Sequence, residues 1–564
     1  MQINNTNFKI TDKSIKQRPH FGSAAGVVAQ GLRYLNVNEA IGATLVDFSF
    51  MAMPRTIVDS RRGWDAGVET GIRENSGTAN HVLIGTVGGL AGLALSGRFN
   101  KNYNVYSHSI FANNETIDIL GQIWHKNFQN LKHDKKELQK TFYQQTFENL
   151  QGLKSNEWVP IDKETIPKLT ETFMELSKEQ KLKGKRIPKQ KLNYLKNLII
   201  SSTGAEKEFK LIDANGKAVS FPITSFLDDL FALGKAFSTH KVTKAFEESI
   251  GDFKANTFIK ELKKLKINSA ILALGISSAM GASVQPFNRW LTKKRTGKDG
   301  FVGVSNDPNA ATNKPDKSKN FILTKTLAAA GMIALALASI STNLKDLPNK
   351  IQFKGKIPTL NQFKLVYGFT IASRFLASRS SDELRESCFK DILGFTNWLI
   401  LGGFVTKGVV NALDKTLINS KSTPDKKGFI NWLTNKSVKT VDEVLLNALK
   451  EKGVNTITND GKAIPFKKLL KTAKELNLAE TLKKVRVLNI AQVAGYVYSG
   501  LVLGILIPKM NIQMTKHFNA KKANSTQNTL KTETTPDKEI KKENIIANEN
   551  KGPFANFIKQ QITA

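Results

Sequence analysis

The chain alternates between apolar windows and long polar stretches. The clearest window, residues 488–507, holds twenty residues without a charge, fenced by Lys483, Lys484 and Arg486 before it and by Pro508 and Lys509 after it. As a helix rising 1.5 Å per residue it is about 30 Å long, the thickness of a bilayer's hydrocarbon core. Six further segments repeat the theme at lower strength: residues 40–53, 81–97, 267–284, 321–342, 363–377 and 392–410. Residues 267–284 form a second charge-free window closed by Pro286. Residues 81–97 contain Gly85, Gly88, Gly89 and Gly92 in overlapping small-xxx-small pairs, and Gly500 and Gly504 stand in the same relation in the last window. In lipid such glycines let helices approach closely, whereas in water each weakens a helix by up to about 1 kcal/mol.

The polar stretches between windows are too long to be simple loops. Residues 98–262 read as a helical insert, with Leu138, Phe142, Leu150 and Leu153 near one helical face. Ser225 with Asp228 has the form of a capping box, and apolar residues flank Asn215-Gly216 as in a two-residue hairpin. Residues 411–486 form a second insert, with a matching hairpin expected near Gly461. The resulting division is a flexible arm over 1–37, a helix pair over 38–97 and the first insert over 98–262. A third span with a basic loop follows over 263–320, a linker span over 321–342, and a loop with the second helix pair over 343–410. The second insert covers 411–486, the last span 487–510, and a polar tail, expected to be disordered, 511–564.

Short matches recur in one order along the two halves. Arg55, Ser60 and Arg61 resemble Arg374, Ser378 and Arg379, and Arg73-Glu74-Asn75 resembles Arg385-Glu386-Ser387. Gly216-Lys217-Ala218 is matched by Gly461-Lys462-Ala463. Asn288, Thr292 and Lys293 after Pro286 are matched by Asn511, Thr515 and Lys516 after Pro508. The expected fold class is therefore mainly α: a multi-pass helical membrane bundle of about seven spans. They form a 3+1+3 parallel internal repeat with two mostly helical polar inserts, each carrying a short β-hairpin. Parallel repeats about an axis along the membrane normal are one known transporter plan.

Composition changes this picture only in part. The 564 residues carry a formal net charge of +35, which favours anionic partners. The expected partners are a lipid bilayer with anionic headgroups and a protein bound through inserts 98–262 and 411–486. No specific nucleic acid is expected, because the basic residues are spread along the whole chain without a recognition motif. A mean hydropathy of −0.27 requires any membrane part to share the chain with large polar segments. Residues 1–20 are polar and basic, so no cleavable signal is expected there. The single cysteine, Cys388, excludes an intrachain disulfide framework. The seven histidines are scattered, and no HExxH, P-loop, GxSxG or dinucleotide fingerprint is present. No catalytic residue, metal site or cofactor is expected.

Charges at the apolar segments are the remaining chemistry, since a charge deep in a bilayer faces partners or water. Asp47, Arg55, Arg61, Arg374 and Arg379 are candidate ligand or pathway residues. The plain alternative makes the arginines helix ends at the headgroups, paired with nearby acids. Asn288, Thr292, Lys293, Asn511, Thr515 and Lys516 are paired stations after the prolines. The functional expectation is an integral membrane protein with a transport-like polar pathway between two repeats. The alternatives are a membrane-embedded scaffold or lipid- or partner-binding protein without transport, and a basic peripheral helical protein. The basic loop 286–320, with eight Lys or Arg, points to a cytoplasmic C-terminus.

Overall fold

The computed structural model describes residues 39–533 apart from 180–185, 214, 300–301, 303–314, 342, 402, 421–431, 433–435, 457 and 459–463. The expected arm over 1–37, the turn at Gly461 and the tail beyond residue 533 lie outside the described residues. What is described is mainly helical, with a four-stranded antiparallel sheet and a two-stranded ladder.

Eight helices build the bundle. α1 starts as Glu39–Leu45, continues through π turns at Val46–Ala52 and ends as Met53–Ser60. α2 is Trp64–Tyr103, α3 is Thr257–Thr296 and α4 is Lys319–Ile340. α5 is Leu360–Leu376, α6 is Ser381–Phe395 with π turns at Thr396–Ile400, and α7 is Phe404–Leu413. α8 runs from Ala479–Tyr498 through π turns at Ser499–Leu506 into Ile507–Glu533. Side chains fix several starts: Asn256 accepts from Ile259 N, Ser318 from Phe321 N, and Ser380 from Glu383 N, while Thr359 and Gln362 form a full capping box. α3 stops at Gly297, whose φ of +71° is a left-handed cap.

Three prolines that should end helices do not. Pro286 lies inside the 40 residues of α3. It cannot donate to the carbonyl of Ala282, four residues back, and Ser373 Oγ donates to that oxygen instead at 2.6 Å. Pro54 likewise cannot donate to the carbonyl of Phe50, which lies in the π turns, and Gly504 of α8 packs directly on that oxygen. Pro508 follows the π turns of α8, and the helix continues beyond it. The paired stations after Pro286 and Pro508 thus lie within helices, the first of them running into the last turn of α3, and the segment after residue 517 begins as helix, not as disordered tail.

Four helices among the described residues are long and apolar enough to cross a bilayer: α2, α3, α4 and the apolar part of α8. The pair α6–α7, bent by 47° at Gly403, makes a fifth if counted as one. Seven spans are not supported. α5 has 17 residues, about 26 Å, and α1 carries Asp47, Arg55 and Asp59.

Pairwise contacts fix the arrangement. α2 and α3 are antiparallel, with Asn80 Nδ2 donating to Ser277 O and Asn288 Nδ2 to Glu69 O. α3 runs alongside α5 in the same direction, with Arg289 bonded to Ala377 O. α1 runs alongside α8 in the same direction, with Phe50 stacked on Tyr496 and Pro54 against Gly504. α2 and α6 also run together, Glu74 facing Lys390 and His81 facing Trp398.

Between α2 and α3 stands a lobe with a conventional core. Trp124, Phe142, Tyr143, Phe173, Phe237 and Phe246 are at most 2% exposed; Phe142 packs edge to face on Trp124 and Phe237, and Phe237 on Phe246, while Tyr143 and Phe173 meet at a tilt. Its sheet order is β2-β1-β3-β4, from Glu157–Pro160, Leu150–Lys154, Phe209–Ile212 and Ala218–Phe221. Leu138 and Phe142 share a helix as expected, but Leu150 and Leu153 belong to β1. The hairpin β3–β4 forms, joined by residues 213–217 and tied by Asp213, not by a two-residue turn. Ser225 and Asp228 lie inside the helix Ile223–Phe237, which starts after Pro222 without a side-chain cap. The second insert carries β5–β6, Ile418–Ser420 with Lys436–Val438. It touches the first lobe through Lys450 Nζ on Ser201 O and Asn447 on Gly204 O.

Candidate functional site

The bundle buries its charges. Arg55, Glu69, Arg73, Glu74, Arg374, Arg379, Glu383, Lys390 and Asp391 are each at most 5% exposed. They come from α1, α2, α6 and the end of α5, and with Arg62, Asp59 and Glu386 they form three neighbouring ion-paired groups along one seam. At its centre Glu74 lies 3.3 Å from Arg73 and Lys390, 3.5 Å from Arg55 and 3.6 Å from Arg374. Asp391 takes Arg374 at 3.2 Å. Four cations thus meet two carboxylates. At either end the sign reverses: Arg62 bonds both oxygens of Glu386 at 3.0 Å with Asp59 at 3.7 Å, and Arg379 holds Glu69 at 2.6 Å and Glu383 at 3.0 Å. The seam as a whole is neutral, with a positive centre between two negative ends.

These contacts are reciprocal. Arg62 of α1's end reaches Glu386 of α6, and Arg379 of α5's end reaches Glu69 of α2. A Cβ added at Gly394 would lie 2.9 Å from Arg55 Nη2, and one at Gly77 would lie 3.3 Å from Arg374 Nη2. Asn288 donates to the carbonyl of Glu69, and Asn511 to that of Glu386. In these contacts and in spacing, Glu69, Arg73, Glu74 and Gly77 stand as Glu386, Lys390, Asp391 and Gly394 do. This register sets Arg73-Glu74 beside Lys390-Asp391 and Arg62 beside Arg379, whereas the short sequence matches set Arg73-Glu74 beside Arg385-Glu386 and Arg61 beside Arg379.

The predicted site residues divide accordingly. Arg55, Arg374 and Arg379 join the seam, and Arg61 is exposed outside it. Asp47 is buried beside the seam, accepting from Thr78 Oγ1 at 2.6 Å with His81 Nδ1 at 3.7 Å. His81 is enclosed by Phe363, Tyr367 and Trp398. Asn288, Thr292, Asn511 and Thr515 are buried, Thr515 accepting from Arg385, whereas Lys293 and Lys516 face outward. Among the glycines, Gly500 and Gly504 pack α8 against α1, while Gly85 and Gly88 meet Lys356 and Phe353 rather than a helix, and Gly89 and Gly92 have nothing within 4 Å of an added Cβ. Sequence reading missed Arg62, Glu69, Arg73, Glu74, Lys390 and Asp391 as a site. The spacing Glu-Thr/Ser-x-x-Arg/Lys-Glu/Asp-x-x-Gly, present twice, carried the signal.

The exterior of the bundle is the reverse of its interior. Only 22–33% of the residues in the four apolar windows are buried. Leu90, Ile271, Leu323 and Leu501 are each more than half exposed. Along α3 no charged residue is exposed between Lys264 and Lys293, about 40 Å of helix. Trp64, Phe287 and Trp290 are exposed at the level of the seam. Among the described residues no group of His, Cys, Asp and Glu is disposed to hold a metal ion. No protein-family model, curated protein or solved structure matches the chain.

Proposed function

We propose that the chain is an integral membrane protein of two equivalent three-helix units in parallel orientation, α1–α2–α3 and α5–α6/α7–α8, joined by α4. The charged seam between the units is the closed state of a path for a small charged solute. The observation that carries this reading is the inversion of polarity: apolar side chains face out and charges face in. Water penalises that arrangement, and lipid rewards it. The exposed aromatics at one end of the apolar belt support the same placement, since tryptophan collects at the membrane interface. The reciprocal contacts of Arg62 and Arg379 and of Asn288 and Asn511 support the duplication. Ion pairs that cross between units are suited to a gate, because each breaks when one unit rocks against the other. The C-terminus is cytoplasmic in this reading, on the side of the basic residues 293–319.

Two measurements test it. An alkaline carbonate wash leaves the chain in the membrane pellet; release into the supernatant sinks the membrane reading. In proteoliposomes, Arg62→Gln, which unlatches one end of the seam, raises ion flux over wild type. A membrane-embedded scaffold is the second reading, favoured by close packing: the cavity in the seam measures only about 10 Å³. Absence of flux from both wild type and Arg62→Gln leaves that reading standing alone.

A further inference from the structure

We infer that the seam holds a binding site for a monatomic anion of halide size, with Arg73, Lys390 and Ser387 as its ligands. The three line a cavity of about 10 Å³ together with Arg62, Asp59 and Glu386. A volume of that size admits one water-sized particle and excludes phosphate or carboxylate groups.

The carboxylates at this cavity are already engaged. Glu386 gives both oxygens to Arg62, and Asp59 takes Thr70 Oγ1 at 2.6 Å with Arg62 nearby. Its cations are under-compensated. Arg73 and Lys390 share a single oxygen, Glu74 Oε1, at 3.3 Å each, while Arg55 and Arg374 draw on Glu74 Oε2. Asp391 gives its Oδ1 to Arg374, and no ion pair joins it to Arg73 or Lys390 among the described residues. Arg73 is 5% exposed, and its Nε has no hydrogen-bond partner among the described residues. Buried cations that share one carboxylate oxygen are only partly compensated, so a negative ion seated between Arg73 and Lys390 is held by charge and by donors together. The Ser387 hydroxyl supplies a further donor. A cation entering the same cavity would meet three positive side chains against two carboxylates, Asp59 and Glu386, that Arg62 already holds.

This inference rests on the path reading in naming its solute, but binding is measured apart from flux, so either can fail alone. The full-length protein in detergent is titrated with radiolabelled chloride in a gluconate background, and its thermal midpoint is followed in chloride, bromide and gluconate. A single saturable class of chloride sites is expected, with a midpoint higher in chloride and bromide than in gluconate. Lys390→Gln weakens the chloride response by about tenfold or more, while Lys390→Arg retains it. Ser387→Ala, which leaves every ion pair intact, weakens it by a smaller factor. Equal midpoints in chloride and gluconate without saturable binding overturn the inference, as does an unchanged chloride response in a folded Lys390→Gln or Ser387→Ala protein. Binding without flux sinks only the path.

Discussion

The lobe between α2 and α3 and the helical bundle are built from one chain by opposite rules. In the lobe, Trp124, Phe142 and Phe237 are inside, and its lysines are outside. In the bundle, Arg55, Glu74 and Asp391 are inside, and Leu90, Ile271 and Leu501 are outside. The lobe is held by apolar area removed from water. That force is missing where the surroundings are themselves apolar, and packing at small residues and paired charges take its place. Gly77 and Gly394 show both at once, since Gly77 makes room for Arg374 and Gly394 for Arg55, each from a helix distant in sequence.

The comparison breaks most visibly at Glu74. Glu74→Ala leaves Arg55, Arg73, Arg374 and Lys390 with Asp391 alone, and is expected to destabilise the bundle by about 3–5 kcal/mol. Denaturant unfolding of the detergent-solubilised protein measures it, with lobe and bundle followed by separate probes. The lobe transition stays in place while the bundle transition falls. A bundle unaffected by Glu74→Ala contradicts a seam held by charge.

A smaller effect sharpens the same contrast from the side of the inserts, where a buried acid is tolerated for another reason. Glu206 is pushed up to about 8 by burial and then by the neighbouring Asp442, and Thr440 Oγ1 donates to it across the two inserts. The folded protein therefore holds this proton more tightly than the unfolded chain does. Its stabilising effect is complete below the ordinary value of 4.5 and is lost as pH rises towards about 8. The junction of the inserts loosens over that range, and Glu206→Gln, which keeps an acceptor for Thr440, flattens the slope. Thermal midpoints between about pH 5 and about pH 9 read the difference.

Much of the bundle was legible because apolar length is a one-dimensional signal: residues 81–97, 267–284, 488–507 and, of the window 321–342, residues 321–340 fall in helices long and apolar enough to cross a bilayer. The seam was not, for a physical reason. Residues 64–80 and 381–391 carry so many charges that they read as linkers in water, yet both are helix in which Glu69, Arg73, Glu74, Glu383, Glu386, Lys390 and Asp391 are buried. Their charges are compensated by residues some 300 positions away, as in Arg62 with Glu386. Pro286 misled similarly. The acceptor it orphans is satisfied by Ser373, 91 residues off in sequence, and no local rule sees that bond.

The smallest expected effect is the most discriminating test of the outer face. Leu90 is 61% exposed on α2. Replaced by alanine it opens no cavity, so the bundle in detergent should change by less than about 0.5 kcal/mol. A core leucine such as Leu230, 0% exposed in the lobe, is the reference, since truncation there costs about 2–5 kcal/mol. Leu90→Asn separates lipid from water: a polar side chain at a water-facing position is neutral, but at a lipid-facing one it hinders insertion. A fall in the membrane-inserted fraction with Asn, and none with Ala, marks the face as lipid-exposed. A loss of stability with Ala comparable to that at Leu230 would mean that Leu90 packs against another protein surface, and the outward apolar belt would then be an interface rather than a bilayer contact.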